Sequence, residues 1–88
     1  MGDIYEYMKE MFVKLLNTFV KEDNPKIDSF HVWSLGAVDT NMYVIQVMSY
    51  YDLERSERVK IQSDITKVFN IIGFGPGSNF MIQYKKLG

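Results

Sequence analysis

Eighty-eight residues leave room for one hydrophobic core, so positions 1–88 read as a single domain. Apolar residues are 47% and charged residues 24%, which excludes a disordered tail, and the net charge of −1 gives no basic field to attract nucleic acid or an anionic membrane. Cysteine is absent, which removes disulfides, thiolate zinc clusters and cysteine nucleophiles and fits a reducing compartment.

No apolar run approaches the ~20 residues of a membrane-spanning helix. Asp3, Glu6 and Lys9 interrupt the N-terminus where a signal peptide would be apolar. The expectation is a soluble chain, with Met1-Gly2 resembling a start added to a piece of something longer. Aromatic residues make up 15%, with six Tyr, six Phe and six Met. A domain this small buries only a modest share of its surface, so part of this set is expected at a subunit interface.

From Ile4 to Val20 the apolar residues Ile4, Met8, Met11, Phe12, Leu15, Leu16 and Phe19 recur at helical spacing. They predict one helix with a continuous apolar stripe, which Asn24-Pro25 ends. Ile27 to Leu35 alternates as a strand, with Phe30 and Val32 on one face and Ile27, Ser29, His31, Trp33 and Leu35 on the other. Residues 36–41 are turn formers, and Met42 to Tyr51 is a second strand, giving a hairpin. Its two faces are Tyr43, Ile45 and Val47 against Val44, Gln46 and Met48.

Asp52 is the expected N-cap of a second helix over Leu53 to Ile71, with Ile61, Ile65, Val68, Phe69 and Ile72 as its apolar stripe. Residues 73–78 are a glycine-rich turn. Asn79 to Lys86 is a third strand, alternating Phe80, Ile82 and Tyr84 against Met81, Gln83 and Lys85. The order α-β-β-α-β predicts an α+β open two-layer sandwich, with two helices on one face of a three-stranded sheet. Its uncovered face would then expose Trp33, Met48 or their neighbours, and such a patch reads as a binding surface.

The chemistry-bearing residues are few. Gly73 to Gly77 leads into a strand and lacks the Lys-Ser/Thr and helix of a phosphate loop. Ser29 and Ser34 lie near His31, but no acid is placed to orient the imidazole, so no enzyme is expected. Phe80-Met81-Ile82-Gln83-Tyr84-Lys85-Lys86 only faintly echoes an RNA-recognition motif, and the charge balance argues against nucleic acid. His31 and Trp33 are the sole copies of their residue types and fall on one strand face. With Asp28, three residues earlier, His31 supplies two metal donors, whereas zinc takes four ligands, or three and a water.

His31-Val32-Trp33-Ser34-Leu35 matches the hallmark strand, His-Val/Ile-Trp-Ser-Leu, of one known domain. Ile82-Gln83-Tyr84 falls at the centre of that domain's last-strand motif, Thr-Ile-Gln-(Val/Ile)-Glu. Over residues 4–86 the chain resembles the cytoplasmic C-terminal domain of cation diffusion facilitator transporters, the zinc, manganese and iron exporters. The resemblance implies a ferredoxin-like, metallochaperone-like fold that dimerises on the cytoplasmic face of a membrane. In the family, metal at the dimer interface draws the protomers together and biases the transmembrane part.

The resemblance also implies ligand losses. Asp28 stands where many members carry a His, Ile45 to Val47 offers no His, Asn79 replaces another, and Lys85 stands at the closing Glu. No cofactor is then required, and a divalent cation (zinc, manganese or iron) would be held only weakly, by Asp28 and His31. The expected function is a dimerising regulatory domain of a divalent-cation efflux transporter with a reduced or absent metal site. Trp33, Leu35, Met48 and Tyr84 are its expected interface anchors. The partner is a second copy or a related transporter subunit, with a transmembrane domain in the full-length protein. A free-standing ferredoxin-like interaction module is the alternative.

Overall fold

The computed structural model describes residues 3–35, 42–75 and 77–88; the 36–41 turn and Pro76 lie outside them. Helix α1 spans Asp3–Leu15 and runs on through a π-helical turn at Leu16–Val20, where the periodicity predicts one regular helix. The Lys21 N–H donates to the Leu16 carbonyl at 2.9 Å, the i→i+5 bond of such a turn. Asn17 Nδ2 and Thr18 Oγ1 donate to the carbonyls of Val13 and Lys14 at 3.1 and 2.9 Å. Side chains that bond carbonyls one turn back compete with the regular ladder and let it widen. The wider turn carries Val20 into the core behind Phe12 and Leu16, all at 0% exposure. Phe19, expected on the stripe, is left 57% exposed, and Met11 also lies at the surface.

Strands β1 (Ile27–Ser34), β2 (Met42–Ser49) and β3 (Asn79–Lys86) form one sheet in the order β1-β2-β3. β1 pairs antiparallel with β2, and β2 pairs parallel with β3. The β1–β2 register shifts between Ile27 and Ser29, so Asp28 is the extra residue of a bulge. One extra residue reverses the alternation before it. Ile27, which simple alternation places beside His31 and Trp33, therefore turns to the opposite face with Phe30 and is 3% exposed. The Ser49 hydroxyl fixes this corner by donating to the Lys26 carbonyl at 2.6 Å.

Helix α2 spans Arg55–Ile72 and begins at Glu54 rather than at the expected Asp52. Glu54 and Glu57 form a capping box, in which the Glu57 carboxylate accepts the Glu54 N–H at 2.9 Å. Asp52 stays in solvent and pairs with Lys86 at 3.2 Å. At the other end Gly73 takes the left-handed conformation (φ 67°) and its N–H closes on the Phe69 carbonyl, which a side chain would resist.

The core lies between the two helices and one face of the sheet. Phe12, Leu16 and Val20 meet Ile61, Ile65, Val68 and Phe69 over Phe30, Val32, Tyr43, Ile45 and Val47, with Phe80, Ile82 and Tyr84 at its margin. Phe12, Phe69, Phe74 and Tyr43 interlock as an aromatic cluster, with ring centroids 4.4 to 6.1 Å apart. The α+β open sandwich predicted from the element order is therefore the observed architecture, with a mixed rather than purely antiparallel sheet.

Candidate site on the helix-free sheet face

The second face of the sheet carries the residues of opposite parity, and the register arranges them in transverse rows. Trp33, Val44 and Met81 form one row, His31, Gln46 and Gln83 the next, and Ser29, Met48 and Lys85 the third. The face thus grades from apolar, through amide and imidazole, to charged.

Val44 is 1% exposed although it stands apart from the helix-side core. Its row neighbours are the half-buried Trp33 indole and Met81, itself 44% exposed. Leu35, 39% exposed, extends the apolar end, and its N–H donates to the Met42 carbonyl at 2.9 Å. The indole, a thioether and two aliphatic side chains make a cluster that is only partly shielded from water. A partner surface that covered it would bury apolar area and leave the helix-side core untouched.

His31 projects from the edge strand beside Trp33, with ring centroids 5.1 Å apart and planes tilted by 56°. Asp28 lies on the bulge, exposed, and accepts a hydrogen bond from the Ser29 hydroxyl at 2.9 Å. Among the described residues no group of three or more His, Cys, Asp or Glu side chains is placed to share an ion. The donors a cation would need beyond Asp28 and His31 are not supplied by those residues.

Three of the four expected anchors, Trp33, Leu35 and Met48, lie on or at the end of this face, and the fourth does not. Tyr84 belongs to the helix-facing parity of β3, where Arg58 Cζ lies 5.0 Å from its ring centroid. Its hydroxyl donates to the Arg58 carbonyl at 3.2 Å, and burial pushes its ionisation upward despite the opposing Arg58 charge. Val44 and Met81, the two residues that complete the Trp33 row, are not among the expected anchors. Alternation in β3 already separates Met81 from Phe80, but only the register joins it to Trp33.

No helix among the described residues is long and apolar enough to cross a membrane. No family model, curated protein or solved structure matches the chain.

Proposed function

We propose that this chain is the dimerising regulatory domain of a divalent-cation efflux transporter of the cation diffusion facilitator kind, working on the cytoplasmic face of a membrane with a reduced or absent metal site. One observation carries the reading. The His31-Val32-Trp33-Ser34-Leu35 motif lies on the edge strand of an α-β-β-α-β sandwich and sends Trp33 to the sheet face that no described helix covers. That face is where a second copy, or a related subunit, docks. The Trp33, Val44 and Met81 row supplies the apolar contact. Among the described residues no further donor stands beside Asp28 and His31, which supports a dimer held by packing rather than by a bridging ion.

Sedimentation of the domain with and without zinc, manganese or iron tests this directly. The expected result is a dimer whose dissociation constant does not depend on metal, and which Trp33→Ala weakens. A monomer at all concentrations, in every buffer, removes the dimerisation reading. Calorimetric titration with the same ions should show no stoichiometric binding. Stoichiometric binding that disappears in His31→Ala would instead establish a working metal site. Transmembrane helices encoded just upstream in the full-length gene are the further expectation, and their absence would favour a free-standing module.

A further inference from the structure

We infer that the cleft at the carboxyl ends of β2 and β3 binds a phosphate-type oxyanion, either free or as the head of a larger molecule. The inference is independent of how the open sheet face is used. β2 and β3 are parallel neighbours joined through α2, so both strands end, and the helix begins, at one edge of the molecule. In sheets with such crossovers, ligands settle outside the carboxyl ends of the strands. Here that place holds a cleft of about 70 Å³, room for a single small ion. Ser49 and Leu53 lie in it, and Tyr51, Arg58, Tyr84 and Lys86 surround it.

The charge around the cleft differs from that of the chain. Arg58 and Lys86 line it against a single acid, Asp52, whereas the whole protein carries −1. Arg58 has no carboxylate partner among the described residues. Its guanidinium is nevertheless held over the Tyr84 ring, 5.0 Å from the centroid. Stacking orders the group while leaving its edge N–H donors free, the arrangement that grips two oxygens of one anion.

Lys86 contacts Asp52 at 3.2 Å, but with side chains 58% and 86% exposed this pair is readily displaced. The other acids nearby are engaged elsewhere. Glu54 and Glu57 form the capping box, and Glu57 also meets Lys26 at 3.0 Å. Because the capping box occupies the start of α2, the cationic side chains, and not the helix amides, provide the binding.

The test is an amide-resolved NMR titration of the 88-residue chain at constant ionic strength, with inorganic phosphate replacing chloride. A parallel arm uses phosphatidylcholine vesicles with and without phosphatidate. The expected result is saturable shifts confined to residues around 49–53, 58 and 84–86. Arg58→Gln weakens binding about tenfold or more, and Arg58→Lys, which keeps the charge but loses the fork, falls between. Lys67→Gln, on the same helix outside the cleft, leaves binding unchanged. Saturation by free phosphate identifies a soluble anion; binding only to phosphatidate vesicles, lost in Arg58→Gln, identifies a lipid head. Shifts that rise linearly with phosphate, or that persist in Arg58→Gln, overturn the inference, as does no response in either arm.

Discussion

Asn24 is a buried polar side chain, 8% exposed, and it ties three segments together. Its Nδ2 donates to the Val20 carbonyl at 2.7 Å and to Asp64 Oδ2 at 3.0 Å, while Lys60 donates to its Oδ1 at 3.4 Å. Truncation to Ala leaves the carbonyl and the carboxylate without this donor. Asn24→Ala is expected to cost about 1–3 kcal/mol in urea unfolding at pH 7. For Asp64, burial alone would raise the carboxyl pKa, but the hydrogen bonds from Asn24 and Lys60 and the lysine charges outweigh it and hold the group below its usual range. The unfolded chain therefore binds this proton more readily. The contribution to stability is fully present above the unfolded pKa, near pH 4, and is lost as pH falls through the lower folded value. Asp64→Asn lacks this acid loss, so its stability difference from the wild type should shrink between pH 6 and about pH 3. A constant difference across that range would show that Asp64 acts through packing alone. None of this was legible beforehand, since Asn24 and Asp64 are 40 residues apart.

Elements were readable in type and order because each carries its own period; their irregularities were not. Three strands and two helices appear within a few residues of their expected limits. Two departures each come from one or two polar residues acting locally. Asn17 and Thr18 convert the end of α1 into a π-turn and exchange Phe19 for Val20 in the core. Asp28 bulges β1 and exchanges the face of Ile27. The pattern Ile27-Asp28-Ser29-Phe30 fits plain alternation nearly as well as a bulge, and only the Ile27–Ser49 pairing decides between them. The bulge makes Ile27 the core residue at this corner, whereas plain alternation would leave it on the outer face, so Ile27→Ala separates the two. The expected loss is at least about 1.5–3 kcal/mol, the value of one buried aliphatic side chain, read from the urea midpoint. Unchanged stability would mean that Ile27 lies on the outer face and that Asp28 does not bulge the strand.

Which sheet face the helices cover is a property of the whole molecule: β2 is apolar on both faces, and the face expected to stay uncovered, that of Trp33 and Met48, is the one the described helices leave open. Tyr84, the remaining expected anchor, lies on the helix side of β3 with Phe80 and Ile82. In the proposed dimer the division into two apolar layers would separate folding from association, and two substitutions test that separation. Phe12 is at 0% exposure against Phe69 and Phe74, so Phe12→Ala should cost about 3–5 kcal/mol of stability. Met81 is 44% exposed on the opposite face and touches none of that cluster, so Met81→Lys should shift the unfolding midpoint little. In the proposed dimer, however, Met81→Lys sets a charge against its counterpart's apolar row, where desolvation without a partner is costly. Sedimentation equilibrium should therefore find Met81→Lys folded but monomeric, and Phe12→Ala less stable yet dimeric wherever it remains folded. If Met81→Lys dimerises as the wild type does, the open face is not the contact surface, even if the chain dimerises through another.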